Sequence, residues 1–301
     1  MINGIINVYK EKGYTSHDVV AKMRGILKIK KIGHTGTLDP DAVGVLPVCV
    51  GKATKLVDLI TDKDKTYEAV MKLGITTDTQ DITGQVLKIS EVTADLQQIT
   101  EVVNRFIGEY LQLPPMYSAI KVNGKRLYEL ARQGKEVERE RRKVSIKDIR
   151  ILDYSKEENE VSLSVDCGKG TYIRTLIHDI GETLGCGATM KSLVRTAVGQ
   201  FKIEEALKLS EIESLVFEER ITDYVLPLDY LFRNYDKVNV EREYHKLIYN
   251  GNLFQMEHII APIKELATEL IRVYDADDIF IGIYRYHQDD QQFTPVKMFL
   301  S

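Results

Sequence analysis

Gly33-His34-Thr35-Gly36-Thr37-Leu38-Asp39-Pro40-Asp41-Ala42-Val43-Gly44-Val45-Leu46-Pro47 decides how the rest of the chain is read. Three glycines, two prolines, a histidine and two aspartates crowd into one turn-rich stretch between an expected helix and an expected strand. Glycine opens backbone angles closed to other residues, and proline fixes its own φ and biases the residue before it toward extended geometry. Asp39, directly before Pro40, therefore has its backbone held and its carboxylate aimed by the loop. A carboxylate on a loop carried by rigid elements is a common catalytic arrangement. Asp-Pro and Gly-rich clusters also mark ordinary turns, and spacing alone favours that plainer reading.

The run of identities shifts the balance. Together with Gly51-Lys52-Ala53-Thr54-Lys55, the stretch resembles the catalytic-loop signature of the bacterial tRNA pseudouridine-55 synthases, the TruB-type family. Further blocks follow in order: Lys65-Thr66-Tyr67-Glu68, Leu113 to Tyr128, Gly168 to Leu176, and Lys191 to Thr196. The resemblance runs from residue 1 to about residue 230. It implies the pseudouridine-synthase fold, an α+β catalytic domain with a mixed, largely antiparallel central sheet and a cleft at its centre. It implies a substrate too, uridine 55 in the T loop of tRNA, read on the T arm without a guide RNA.

Residue roles follow from the same resemblance. Asp39 is the catalytic carboxylate, Arg174 its charge partner, Tyr67 the active-site tyrosine and His34 the histidine that takes part in turning the base out of the stack. Leu193 lines the pocket. Lys121, Lys125 and Arg126 contact phosphates at the start of an RNA-clamping insertion of about 117–143. Pseudouridine formation breaks the C1′–N1 bond, turns the uracil and rejoins it through C5. Nothing is oxidised and no group is donated, so neither cofactor nor metal is expected. A carboxylate in a closed pocket needs a cation to stay ionised, because burial raises its pKa. An extruded uridine costs a few kcal/mol of stacking, to be offset by protein groups.

At 301 residues, one large domain with a small one is the natural division. The resemblance sets it at 1–235, catalytic, and 236–301, a small β-rich tail that resembles a reduced PUA domain. No apolar run approaches the ~20 residues that span a bilayer. The N-terminus has no charged region followed by a long apolar stretch, and three scattered cysteines make neither a disulfide framework nor a zinc pattern. A cytoplasmic protein without a membrane partner is the expectation. A monomer is what the family implies.

Net charge of −4 hides an uneven distribution. Residues 201–301 carry 11 basic and 19 acidic side chains, whereas residues 121–150 carry 11 basic and 5 acidic. Lys22, Arg24, Lys28, Lys30 and Lys31 add a second basic cluster with no acid among them. Either cluster alone reads as a solvated face; two of them flanking the signature suit an RNA backbone. The tail at 236–301 has 7 basic and 11 acidic residues, which counts against phosphate binding there.

Along the chain, Ile5–Tyr9 reads as a strand, and Thr15 to Asp18 as a capping box before a helix. Strands are expected at 45–50, 67–73 and 161–165, with helices at about 94–107 and 172–184. Short β runs at 271–274, 279–286 and 296–300 follow, with Asn250-Gly251 as a hairpin-type turn.

Two other arrangements fail. Ser16-His17-Asp18 has the residue types of a hydrolase triad, but adjacent residues do not converge as one. His34, Asp39 and Asp41 have no further ligands to make a metal site. The remaining functional alternatives are a tRNA-binding folding chaperone with incidental catalysis and a glycosidase of small nucleosides. The basic clusters argue against the second.

Overall fold

The structure is a computed structural model that describes residues 2–118, 120–122, 124–261 and 266–300; of residues 121, 122 and 126 it describes the backbone alone. The larger part of the chain, up to about residue 202, is built on a nine-stranded sheet. Its main path runs Gly4–Lys10, Val43–Val50, Ala188–Val198, Lys65–Leu73, Glu160–Cys167, Arg142–Ser155, Gly108–Gln112. Ile32–His34 pairs with Val43–Val50, and Phe201–Lys202 with Ala188–Val198. Every pairing is antiparallel except one, the short parallel contact of Val43 and Gly44 with Val194 and Arg195. The Asp39 loop enters the sheet at that contact.

Strand Lys65–Leu73 alternates as a half-covered strand should, with Tyr67, Ala69, Met71 and Leu73 buried. Their face packs under helices Leu96–Asn104 and Ile173–Leu184, which contribute Ile99, Val102, Val103, Leu176, Ile177 and Ile180 to one apolar cluster. A second cluster packs helix Ser16–Leu27 against strands Gly4–Lys10 and Val43–Val50 through Val19, Val20, Met23 and Leu27. Thr15 and Asp18 form the expected reciprocal cap of that helix.

Helix Leu96–Asn104 is shorter at both ends than its apolar pattern predicts. Asp95 caps it in a box with Gln98, and Phe106 packs on the core from the turn that follows. Helix Ile173–Leu184 has no side-chain cap of its own. Buried Gln112 instead accepts from the Tyr172 N–H (2.8 Å) and donates to the Tyr172 carbonyl (3.0 Å), pinning the first turn to strand Gly108–Gln112. Arg174 is the second residue of that helix.

Residues 236–298 form a separate five-stranded sheet in the order Asp236–Asn239, Leu270–Tyr274, Phe280–His287, Gln292–Met298, Phe254–Gln255. Phe254, Tyr284 and Phe293 centre its core. Ile283 and Phe299 on its other face join Phe201, Tyr230 and Phe232 in an apolar cluster shared with the nine-stranded sheet's part of the chain. Asn250-Gly251 does not turn a hairpin. It ends the short helix His245–Tyr249, with Gly251 at φ +68° donating to the Ile248 carbonyl. Asn-Gly suits a helix end as well as a hairpin because both need left-handed backbone.

Candidate active site

Asp39 begins a tight turn. The Ala42 N–H donates to the Asp39 carbonyl (3.1 Å), which puts Pro40 in the second position, where its fixed φ is an advantage. The turn is fastened on both sides. The Leu38 N–H donates to Ser16 Oγ (2.9 Å), while the Pro40 carbonyl accepts from the Gly13 N–H (2.9 Å) and Lys10 Nζ (3.1 Å). Lys10 is fully enclosed, and burial pushes its ammonium pKa down to about 8. Gly44, two residues past the turn, adopts φ +109°, and a Cβ there would sit 2.2 Å from the Arg195 carbonyl oxygen. Only glycine fits where the two parallel strands meet.

The Asp39 carboxylate meets Arg174 on both oxygens, Nε to Oδ2 at 3.0 Å and Nη2 to Oδ1 at 3.3 Å. This side-on pairing is the strong form of the contact. Arg174 is 5% exposed and Asp39 40% exposed, so the guanidinium lies inside the wall and the carboxylate faces the cleft. The same guanidinium donates to the carbonyls of Thr79 (3.0 Å) and Tyr117 (2.7 Å), and Asp81 Oδ2 lies 3.7 Å from Nη1. Burial raises the Asp39 pKa, Arg174 pulls it down, and Asp81 pushes it up again; the net direction is upward.

Asp81 is held in turn by Thr79 Oγ1 (2.9 Å), Thr83 Oγ1 (2.6 Å) and the Thr83 N–H (3.0 Å), all on Oδ1. Its loop is stitched to strand Ala188–Val198 through Gln80 and Ile82 against Met190. These groups border a cleft of about 1030 Å³ whose lining includes Lys12, His17, Leu38, Asp39, Asp81, Tyr117, Arg132, Arg174, Lys191 and Leu193.

The structure brings Asp39, Arg174 and Leu193 to the cleft. Tyr67 lies beneath it, 8% exposed, in one apolar cluster with Leu38, Ala42 and Leu193 of the cleft floor. Burial raises its phenol pKa, and the nearby Arg195 lowers it. His34 sits edge-on to His17 with ring centres 4.9 Å apart. Its Nδ1 accepts from the Gly36 N–H (3.4 Å), which leaves Nε2 as the protonated nitrogen of the neutral ring, and burial favours that neutral form. Lys125 is exposed on a short hairpin outside the cleft lining. The side chains of Lys121 and Arg126 lie outside the described residues.

Asp81, Gln112 and Arg195 escaped the sequence reading. Thr79-Gln80-Asp81-Ile82-Thr83-Gly84 has the composition of any polar turn, and nothing local ties it to Arg174, 93 residues away. A polar cluster that interrupts two β runs and carries one acid was the available signal.

Comparison with known proteins places the chain in a family. Residues 24–173 match the family model of the TruB family pseudouridylate synthase N-terminal domain, and residues 174–233 match the tRNA pseudouridylate synthase B C-terminal domain. The chain belongs to the TruB family of pseudouridylate synthases. It is 55% identical to tRNA pseudouridine synthase B of Lachnoclostridium phytofermentans over 99% of this chain and all of that one. To the protein of that name from Alkaliphilus oremlandii it is 46% identical, over 98% and 97% of the two chains. Among solved structures, a chain of a Cbf5-Nop10-Gar1 complex matches with TM-score 0.72 and 29% identity over 99% of this synthase and 85% of its own length. A chain of an H/ACA RNP bound to a substrate RNA containing 2′-deoxyuridine matches with TM-score 0.71 and 26% identity, again over 99% and 85%. Among the described residues no helix is long and apolar enough to cross a membrane.

Proposed function

We propose that this pseudouridine synthase converts uridine 55 in the T loop of tRNA to pseudouridine, with Asp39 as the catalytic carboxylate acting on a base turned out of the RNA stack. The observation that carries the reading is a carboxylate open to a cleft and gripped from behind on both oxygens by an enclosed arginine. The curated relatives at 46–55% identity, named for tRNA, support tRNA as substrate.

The isomerisation needs one anionic group beside the sugar–base junction, a route for the C5 proton and a pocket that retains the freed uracil. Asp39 supplies the anion, and Arg174 opposes the burial that would protonate it. Leu193 and Leu38 give the pocket an apolar wall for the pyrimidine face. Tyr67 serves the C5 proton from under the floor. His34, packed on His17 at the edge of the loop, assists extrusion of the base. Lys121, Lys125 and Arg126 hold phosphates of the T arm within a clamp of about 117–143, and no guide RNA takes part. The chain works as a cytoplasmic monomer, with residues 1–235 as the catalytic domain and 236–301 as a PUA-like appendage.

The reading is tested by incubating the protein with an unmodified full-length tRNA transcript and mapping pseudouridine by chemical labelling and primer extension. A single new stop that reports pseudouridine at position 55, absent from a transcript with cytidine there, is expected. Modification at other positions, or none, contradicts the assignment. Wild-type protein that binds and folds the tRNA without forming product, or an Asp39→Asn protein that keeps the whole cellular role, would favour a chaperone instead.

A further inference from the structure

Among the described residues two arginines are enclosed around the nine-stranded sheet, and they are satisfied very differently. Arg174 has two carboxylates and two carbonyls. Arg195 is 2% exposed, its Nε donates to the Val45 carbonyl (2.7 Å), and its Nη2 has no hydrogen-bond partner among the described residues. No Asp or Glu forms an ion pair with it among those residues. An enclosed cation without an anion is costly to keep, so its position calls for a reason beyond packing.

The sheet register supplies one. Gly44 is the partner of Lys10 on one side and of Arg195 on the other, and Arg195 is opposite Tyr67 on the next strand. Lys10, Gly44, Arg195 and Tyr67 thus form one row across the four strands beneath the Asp39 turn, and directly opposed side chains in a sheet project from the same face. Gly44, with no side chain, lets the backbone of strand Val43–Val50 press onto Arg195. The guanidinium reaches under the loop, with Nη1 3.6 Å from where a Cβ on Gly36 would stand. Tyr67 is the direct partner of Arg195 on the next strand, so its side chain projects from the same face. Burial, Asp39 and Cys167 all push that phenol pKa up, and the Arg195 charge opposes them.

We propose that Arg195 is a positioning residue for the isomerisation, its buried guanidinium donating to the Tyr67 hydroxyl oxygen and so turning the phenolic O–H toward the cleft floor. The proposal rests on the reading of Tyr67 as an active-site residue. It differs from a purely structural role, in which Arg195 only ties strand Ala188–Val198 to the Val45 carbonyl. In the structural case its loss weakens the fold and leaves Tyr67 untouched.

The test uses the full chain with Arg195→Met, Arg195→Lys, Tyr67→Phe and the Arg195→Met/Tyr67→Phe double variant. Single-turnover pseudouridine formation on a T-arm RNA is measured together with RNA affinity. Arg195→Met should lose about 100-fold in rate, the scale of a displaced proton-transfer group, with RNA affinity unchanged. In the Tyr67→Phe background the same substitution should cost almost nothing, because there is no hydroxyl left to orient.

A second readout needs no activity. In protein labelled with ¹³Cζ-tyrosine, the Tyr67 resonance, assigned by its absence in Tyr67→Phe, should titrate at higher pH in Arg195→Met and return part of the way in Arg195→Lys. Losses that multiply in the double variant, or a Tyr67 titration unmoved by either substitution, overturn the proposal. Should Arg195→Met fail to fold, Arg195→Lys carries the same comparison, since lysine keeps the cation but has no fork to serve both Val45 and Tyr67. Wild-type protein that makes no pseudouridine sinks the functional reading, whereas the titration judges Arg195 by itself.

Discussion

The two sheets bury their polar groups on opposite principles. Around the nine-stranded sheet Lys10, Lys65, Gln112, Arg174 and Arg195 are enclosed, several against carbonyls or under the Asp39 turn. In the sheet of residues 236–298 the only buried polar or charged side chain among the described residues is Asp275, and it is saturated by the Tyr249 hydroxyl and the N–H groups of Asp277 and Ile279. Everything else at that centre is apolar or aromatic. Enclosed charge costs stability unless fully paired. Carrying it at one cleft, beside a sheet that avoids it, fits the proposal that the chemistry lies in the first and only packing in the second.

The comparison is broken most directly at Asp39. Asp39→Asn should lower pseudouridine formation by at least about 10³-fold. It should not lower the melting temperature. The folded-state pKa of Asp39 lies above its unfolded value, so its ionisation lowers stability as the pH rises from the unfolded pKa to the folded one, and asparagine removes that loss. A drop in melting temperature would show that Asp39 is structural. For wild type, activity should fall as the pH drops through a value above the ~3.9 of an ordinary aspartate.

Arg174→Met comes next. It leaves Asp39 and Asp81 facing one another, so the acid limb of the rate profile should move to higher pH. Calorimetry should show a loss of about 2–3 kcal/mol, below the figure for a fully buried pair because Asp39 is 40% exposed. An acid limb that does not move would detach Arg174 from the Asp39 charge.

Gly44→Ala forces a methyl to within 2.2 Å of the Arg195 carbonyl at φ +109°, and should cost at least about 2 kcal/mol by denaturant titration. The control is Gly251→Ala in the C-terminal sheet, where φ is +68° but the nearest heavy atom is 3.7 Å away, so only the conformational penalty of ~1 kcal/mol applies. Equal costs would contradict the close approach.

The smallest effects concern charge. Neutralising Lys121, Lys125 and Arg126 should weaken T-arm binding and flatten its salt dependence by about one unit of slope per lost phosphate contact. Neutralising Lys237, Lys246 and Lys297 of the acidic tail should leave both unchanged. A reversed result would move the RNA interface to the tail.

What the sequence made legible is local. The Thr15–Asp18 cap, the alternation in Lys65–Leu73 and the glycine–proline spacing around Asp39 each have a cause within a few residues, and each element formed where its pattern indicated. Asp81, the Tyr117 carbonyl and Gln112 act at Arg174 or its helix from elsewhere in the chain, and only the folded sheet brings them there. Arg195 lies in the Lys191–Thr196 block, but whether an arginine is enclosed without an anion is not a property of sequence. Asn250-Gly251 was misplaced because left-handed backbone serves helix ends and hairpins alike.

The central claim is tested most directly with a T-arm RNA carrying tritium at C5 of its loop uridine, given to wild type and to Asp39→Asn at equal RNA occupancy. Joining the base to the sugar through C5 must expel that tritium to water. The account predicts release by wild type in step with pseudouridine recovered from digested RNA, and none above background from Asp39→Asn. Equal release by both proteins would contradict it.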